Sequence, residues 1–225
     1  MFNDIDLNFS SKEIFKNLNL RIEKGKKYAL MGESGSGKSN LLRLIRGDLE
    51  PSRGEVLIDN IRVVDLNRDS KAKIFQNLGQ DVFIFKETIR KNIFLYDDFS
   101  KKQLEEALKK ANIYTKIESL KDKDLTVIAS GGFDLSGGER QRISLARGLI
   151  RNKEIFLFDE DTANLDAYNA GFIEESIRKM DKTVIAIRHR IDGSLKDYDK
   201  IIYLDSKKAH VLTYEDFISK FSKKD

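Results

Sequence analysis

Gly32-Glu33-Ser34-Gly35-Ser36-Gly37-Lys38-Ser39 is the stretch that decides the fold of this chain. It matches the phosphate-loop pattern G-x-x-x-x-G-K-[ST] at every fixed position. Residues 27–31 before it are short and apolar and predict a strand. Residues 40–46 after it predict a helix that stops at Gly47. Strand, glycine-rich loop and helix are the context that the pattern needs, so we predict a nucleoside-triphosphate site.

The residue types in this loop explain why it suits phosphate. Glycines let the backbone curl so that successive N–H groups point at one anion. The helix N-terminus adds free amides and partial positive charge. Lys38 is expected to reach the β- and γ-phosphates and the Ser39 hydroxyl to ligate Mg²⁺. The alternative, a flexible Gly/Ser turn with a stray lysine, is disfavoured because both flanks also fit.

Composition narrows the class of protein. The 225 residues include 41 basic and 37 acidic side chains, a net charge of +4, and no cysteine. Disulfides and Cys-based zinc sites are therefore excluded. The sequence has no stripe of basic residues interleaved with aromatic ones, so a nucleic-acid partner is not expected. The N-terminus lacks a signal-peptide pattern, and no run approaches the ~18 apolar residues of a membrane span. These features predict a cytosolic polypeptide.

Periodicity predicts an α/β fold of the P-loop NTPase kind, with a RecA-like, mainly parallel core sheet. Apolar residues alternate at 5–9 and 18–22, and a hairpin is expected around Asp59-Asn60. These outer strands predict an antiparallel β subdomain. From about Thr88 to Asn152 the pattern turns helical, with a capping box at Ser100. Buried strands at 155–158 and 183–187, separated by a helix, favour a parallel sheet.

A second candidate site follows the apolar strand at 155–158, where Asp159 and Glu160 come in succession. Ligands of open α/β sheets bind at the carboxyl edge of the strands. Asp159 can hold Mg²⁺ as the acidic partner of Ser39. Glu160 can polarise the attacking water as a general base, a role that contributes ~10²–10⁴-fold to rate. Alone such a pair is usually structural, but with a phosphate loop the catalytic interpretation is favoured.

A third candidate site is the turn Ser136-Gly137-Gly138-Glu139, which is predicted to open a helix. The same physics makes it a second anion site. Ser136 can cap the helix or bond a phosphate oxygen, and the sequence leaves both roles open. Two such turns suggest that the turn of one subunit closes over the nucleotide of another.

Together these motifs resemble the nucleotide-binding domain of an ABC transporter, over nearly the whole chain and in the family's order. Residues 32–39 match Walker A, residues 135–141 match the LSGGQ-type signature, and residues 155–160 match Walker B. Gln80 matches the Q-loop glutamine and His189 matches the switch histidine. Residues 126–132 resemble the segment that precedes the signature in exporter-type members.

The resemblance implies an ATPase that uses ATP and Mg²⁺ and carries its site residues at matched positions. The implied catalytic residues are Glu160, His189, Lys38 and Gln80, and the implied metal ligands are Ser39, Gln80 and Asp159. Phe9 sits where the family has an aromatic residue stacked on adenine, although it could equally be a core side chain. The implied nucleotide-binding residues are Phe9, Gly32, Glu33, Ser34, Gly35, Ser36, Gly37, Lys38, Ser39, Asn40, Ser136, Gly137, Gly138 and Glu139.

The resemblance also implies partners and a place in the cell. A second ATP-binding domain is expected head to tail, together with a transmembrane permease domain that is fused or separate. The chain would then lie peripherally at the cytoplasmic face of the membrane. We expect approximately 1–82 and 153–225 to form the nucleotide core with the antiparallel β subdomain, and approximately 83–152 to form the helical subdomain.

Several positions depart from the family pattern. Asp161 replaces a proline and Ala163 a serine, Asn40 replaces Ser or Thr, and Ser130 replaces a glutamate. Crowding by Asp161 is expected to raise the pKa of Glu160. Alternatives considered are a non-transport ABC ATPase of DNA repair or translation, a P-loop kinase or GTPase, and a binding module with degraded catalysis. Residues 135–142 argue against the second, and Glu160 argues against the third.

Overall fold

The computed structural model describes residues 1–9, 12–79, 82–128, 134–159 and 167–221. The strands are β1 Phe2–Phe9, β2 Lys12–Leu20, β3 Lys27–Gly32, β4 Arg53–Ile58, β5 Ile61–Arg62, β6 Phe75–Leu78, β7 Ile155–Phe158, β8 Thr183–Ile187, β9 Lys200–Asp205 and β10 Lys208–Leu212. The helices are α1 Lys38–Arg46, α2 Arg68–Ile74, α3 Ile89–Phe94, α4 Lys101–Lys110, α5 Tyr114–Glu118, α6 Gly137–Ile150, α7 Ala167–Lys179 and α8 Tyr214–Phe221. Short 3₁₀ turns lie at Val63–Asp65, Lys123–Leu125 and Gly193–Asp197.

In the described residues the core is a six-stranded sheet in the order β10-β9-β3-β8-β7-β6. Its strands run parallel except for β10, which pairs antiparallel with β9. The prediction of a mainly parallel core is therefore confirmed. Strand β8 is buried at every residue, as expected of a β-branched run covered on both faces. The phosphate loop follows β3, which lies in the interior of this sheet.

Two apolar layers cover the core sheet, one on each face. Helices α3 to α8 pack against one face, which includes Ala29, Phe156 and Val184. Leu30, Leu157, Ile185 and their neighbours pack against α1 and the outer strands. Alternate residues of each strand face opposite layers. Helix α1 belongs to the second layer and lies between the core sheet and the antiparallel sheet.

The outer sheet has the order β2-β1-β4-β5 and is antiparallel throughout. The predicted hairpin around Asp59 and Asn60 is present, with φ of 48° and 66° at the two turn residues. Positive φ at both positions is typical of the tight turn that matches strand twist. The second hairpin strand has only two residues, because the fully buried Val63 enters a 3₁₀ turn instead of continuing the strand.

The helical layer contains the capping box predicted at Ser100. The Ser100 hydroxyl accepts from the Gln103 amide, and the Gln103 side chain accepts from the Ser100 amide. Behind it Leu104, Ala107 and Leu108 are buried, as their spacing predicts. In the part of the chain that the structure describes, no helix is long and apolar enough to cross a membrane.

Candidate functional site

The loop between β3 and α1 is shaped by glycines that no other residue could replace without strain. Gly37 caps α1 with φ 101° and ψ 14°. A Cβ on Gly37 would lie 2.8 Å from Cζ of Phe15 on β2. A Cβ on Gly32, at φ 147°, would lie 2.7 Å from the carbonyl oxygen of Leu204 on β9. The loop therefore needs glycine for both its backbone and its packing.

Lys38 lies inside this loop and is only 7% exposed. Its Nζ donates to the carbonyl oxygens of Gly32 at 2.7 Å and Glu33 at 2.8 Å. These contacts fix a positive charge at the start of α1. Within the described residues, no side chain caps the first turn of α1. A cation and a helix N-terminus thus converge on one point, which is the arrangement that binds phosphate.

An open cavity of about 480 Å³ lies over the loop. That volume is within the range of small-ligand sites. The described residues of its wall are Lys12, Ile14, Ser34, Gly35, Gly37, Lys38, Ser39, Asn40, Asp159, Ile187 and His189. Eight of the predicted site residues therefore share one cavity. Gly32, Glu33 and Ser36 belong to the loop but not to this wall.

Ser39 and Asp159 meet at one side of the cavity. The Ser39 hydroxyl donates to Oδ1 of Asp159 at 3.2 Å. A hydroxyl and a carboxylate are hard oxygen ligands, and Mg²⁺ is usually held by one or two carboxylates with phosphate and water. The described residues contain no group of three or more His, Asp or Glu side chains that could hold a metal by themselves. The donor set therefore fits a magnesium ion that takes its remaining ligands from phosphate and water.

His189 reaches the same cavity from the end of β8. Strand β8 lies between β3 and β7, so the carboxyl ends of these three strands meet at one edge of the sheet. Ile187 and His189 both line the cavity, and the imidazole is exposed. The sheet topology thus brings together three segments that are far apart in sequence.

Arg188, between Ile187 and His189, was not predicted as a site residue. Its side chain is 6% exposed, and its Nη2 donates to Oε1 of Glu174 at 2.7 Å and to Oγ of Ser194 at 2.8 Å. Burial alone would lower the pKa of this guanidinium. The Tyr198 hydroxyl, Glu174 and Asp192 outweigh that effect and hold the pKa above its ordinary value. Only the buried position, invisible in the sequence, distinguishes Arg188 from a surface arginine.

The turn at Ser136 forms a capping box at the start of α6. The Ser136 hydroxyl accepts from the Glu139 amide at 3.3 Å, and Oε2 of Glu139 accepts from the Ser136 amide at 2.8 Å. Lys116 lies 3.4 Å from the Glu139 carboxylate. Burial would raise the pKa of Glu139, but the hydrogen bonds from Ser136 and the charge of Lys116 bring it below its ordinary value. Of the two roles left open for Ser136, capping is present.

The turn does not share the phosphate-loop cavity of its own chain. Ser136, Gly137, Gly138 and Glu139 are all outside the described wall of that cavity. Ser136 and Gly137 are exposed, and Gly138 is buried. The two glycine-containing turns are therefore separate helix N-termini that do not meet within one chain.

Phe9 ends β1 and is 41% exposed, so it is not a core side chain. It is outside the described cavity wall, whereas Lys12, its cross-strand partner, and Ile14 are part of that wall. Sequence reasoning missed both. Their only signal was their position at the start of the strand that follows Phe9.

Some predicted residues lie outside the described ranges. These are Gln80 and Glu160, together with the departures Ser130, Asp161 and Ala163. Their predicted roles remain predictions.

Comparison with known proteins gives concordant matches. A family model described as ABC transporter matches residues 15–163. ABC transporter B family member 2 of Dictyostelium discoideum is 35% identical over 97% of this chain. The ATP-dependent lipid A-core flippase of Pasteurella multocida is 34% identical over 91% of it. A solved bacterial Atm1-family ABC exporter with ATP bound superimposes with a TM-score of 0.83 at 30% identity over 98% of this chain.

The chain spans only part of each of these proteins. It covers 16% of the Dictyostelium protein, 36% of the flippase and 40% of the exporter chain.

Proposed function

The chain belongs to the ABC transporter family and is an ATP-binding domain of the exporter type, and from that premise we propose that it drives transport across a membrane by hydrolysing Mg-ATP at an interface between two such domains. The cargo is chosen elsewhere, by the membrane-spanning partner. The observation that carries this proposal is the single cavity shared by Lys38, Ser39, Asp159 and His189.

The cavity residues divide the work of phosphoryl transfer to water. The loop amides and the Lys38 ammonium hold the β- and γ-phosphates and neutralise their charge. Ser39 and Asp159 would hold Mg²⁺, which supplies Lewis-acid charge stabilisation when bound. Glu160 accepts a proton from the attacking water, and Gln80 and His189 orient the γ-phosphate end. Positioning and charge stabilisation account for most of the rate enhancement in such reactions.

A second domain, another copy or a close relative, completes the site. The turn at Ser136 is a helix N-terminus that lies outside the cavity of its own chain. In a head-to-tail pair it faces the phosphates bound by the partner. This arrangement gives both glycine-containing turns of the chain a ligand.

A membrane-spanning partner is favoured by the exposed aromatic residues that follow Gln80. Phe83 is 69% exposed and packs edge-on against Phe85, with ring centroids 4.8 Å apart. Tyr96, after α3, is 97% exposed. Exposed aromatic side chains are enriched where proteins bind partners.

Residues 83–88, which we call the aromatic segment, are hydrogen-bonded to the helical layer. The fully buried Asn92 side chain donates to the carbonyls of Phe85, Glu87 and Thr88 and accepts from the Phe85 amide. Arg147 on α6 donates to the Phe83 carbonyl at 2.8 Å and to Oδ1 of Asn92 at 3.1 Å. Burial, with the charge of Arg151 nearby, lowers the pKa of Arg147 to about 10. A partner docked on Phe83 would therefore be connected to the helix that starts at Ser136.

The proposed location and subdivision follow from the same assignment. We place the chain at the cytoplasmic face of the membrane through its partner. The helices α3 to α6 fall within residues 83–152, which supports a helical subdomain there, and the strands of the core sheet fall outside it.

The test is a substitution at Glu160 in the complete protein with its membrane-spanning part. Glu160→Gln should lower ATP hydrolysis by roughly 10²–10⁴-fold and leave ATP binding intact. Glu154→Gln is the matched control. Glu154 directly precedes β7, the strand that Glu160 follows, and it pairs with Lys24 and Lys182. Unchanged hydrolysis in Glu160→Gln, with ATP still bound, contradicts the proposal.

A further inference from the structure

The segment that carries His189 is anchored at both ends. The Arg188 amide, one residue before the histidine, donates to the Leu30 carbonyl at 3.0 Å and so extends the pairing of β8 with β3. Because side chains alternate along extended chain, Ile187 and His189 face the cavity while Arg188 faces away from it. The backbone beside the histidine is therefore tied to the strand that delivers the phosphate loop.

The Arg188 side chain supplies the second anchor. It reaches Glu174 on α7 and Ser194 in the 3₁₀ turn Gly193–Asp197. Ser194 is fixed in turn, because its amide donates to Oδ1 of Asp192 at 2.9 Å. The contact from Arg188 to Ser194 closes a short loop in which His189 is the first residue.

Helix α7 connects this anchor to other parts of the site. It starts at Ala167, after the run that follows Asp159. Its Phe172 ring lies 4.7 Å from the guanidinium carbon of Arg142 on α6, a distance typical of a cation–π contact. Glu174, two residues further, is the Arg188 partner. The same helix therefore contacts the helix that starts at Ser136 and the segment that carries His189.

We propose that Arg188 is a positioning residue, which sets the place of the His189 imidazole by its bonds to Glu174 and Ser194. A buried guanidinium is costly unless it is paired in good geometry, so its contacts are made in one arrangement. Arg188 is not part of the described cavity wall, so it would act on the site through its neighbour His189. The inference rests on the proposed role of His189 at the γ-phosphate.

The experiment compares Arg188→Ala, His189→Ala and the double variant in the complete protein, with Mg-ATP as the probe. Arg188→Ala should lower kcat by roughly 10–100-fold, the effect of a misplacement of about 1 Å. The Kd for ATP should change less than about 3-fold, because the phosphate-binding groups remain. The double variant should be no slower than His189→Ala alone, since a residue that acts through the imidazole has no effect without it.

Lys182→Ala is the matched control. Lys182 directly precedes β8, at the end remote from the cavity. Its Nζ makes a partly buried ion pair with Oε1 of Glu154 at 3.3 Å. It should leave kcat unchanged. Arg188→Lys should recover part of the lost rate, because the ammonium keeps the charge but not the fork geometry of the guanidinium. If Arg188→Ala does not fold, Glu174→Gln removes the charge at the same pair and should show the same non-additivity with His189→Ala.

A direct readout follows the imidazole itself. The ring NMR signals of His189 and His210 are assigned by substituting each of these two histidines in turn. Arg188→Ala should shift the His189 signal and leave that of His210, on β10, in place.

Two results would overturn the inference while leaving the proposed function intact: an unchanged kcat in Arg188→Ala, or a double variant slower than His189→Ala by the full effect of Arg188→Ala. Normal hydrolysis in His189→Ala would instead refute the role of His189, and this inference with it.

Discussion

Helices α1 and α6 both begin at a glycine-containing turn, but their first turns are built differently. Helix α1 is capped by Gly37, without a capping side chain in the described residues, and Lys38 adds a buried cation. Helix α6 is capped by Ser136 and Glu139, which satisfy two backbone amides and add a carboxylate. The first turn of α1 is open to an anion. In the first turn of α6, two backbone amides are already hydrogen-bonded by side chains of the same chain. An anion at α6 must bind beside this capping box or displace it, so the two turns are not equivalent sites.

Removing the positive charge at the start of α1 should have the largest effect on nucleotide binding. Lys38→Ala should raise the Kd for ATP by roughly 10–100-fold, because a hydrogen bond to a charged group contributes about 1.5–3 kcal/mol. Fluorescent-nucleotide titration measures this. Lys16→Ala, an exposed lysine on β2 paired with Glu13, should leave the Kd in place. Equal binding in Lys38→Ala and wild type would mean that the open turn is not the phosphate site.

The next change tests whether the shape of the open turn depends on packing. Gly37→Ala should destabilise the fold by about 1–3 kcal/mol more than Gly35→Ala, as an overpacked site does. Both glycines have positive φ, 101° and 79°, but only a Cβ on Gly37 meets the Phe15 ring. Urea denaturation measures both. Equal losses would show that backbone strain alone selects glycine here.

A smaller effect separates capping from phosphate binding at α6. Ser136→Ala should cost about 1 kcal/mol of stability, typical of a lost N-cap. Ser100→Ala removes the same kind of capping box from α4, remote from the candidate site, and should cost as much. Only Ser136→Ala should also weaken ATP-driven pairing of two domains, measured by sedimentation. If both variants pair normally, Ser136 is a cap and nothing more.

The smallest effect is a pH dependence of stability that arises from the capping box at the start of α6. The pKa of Glu139 is depressed from 4.5, so the stability from its ionised form is present above that value and lost as pH falls through its folded pKa. Glu139→Gln should flatten the decline in stability below about pH 4.5 by up to roughly 1 kcal/mol. Urea midpoints between neutral and acid pH measure this. Glu106→Gln, an exposed carboxylate on α4, should change nothing, and an unflattened decline would contradict the assignment.

Local patterns predicted the elements that carry strong local signals. The glycines of the phosphate loop and the turn residues Asp59-Asn60 suit a backbone of positive φ, which few residue types tolerate. Asp159 directly follows an apolar strand, so its signal lies in its flank. Helix α2 and strand β6 were not predicted. The helix has no buried residue and the strand has four residues, so neither shows an apolar period.

The assembly of the site needs information that no local pattern holds. Strand β3 pairs with β8 and β9, which follow it by more than 150 residues. That pairing puts His189 beside the phosphate loop and turns Arg188 away from it. The entry of Lys12 and Ile14 into the cavity wall likewise depends on how β2 packs over Gly37.

The Asn92 side chain has a consequence for how the protein opens. The two hydrogens of one side-chain NH2 group are shared among the carbonyls of Phe85, Glu87 and Thr88, so a movement of any one carbonyl changes the hydrogen bonds of the others. Residues 85–88 should therefore exchange their amide hydrogens as one cooperative unit and not residue by residue. Because Arg147 ties that unit to α6, the two should open together, and the aromatic segment should show the exchange protection of a helix even though it contains none.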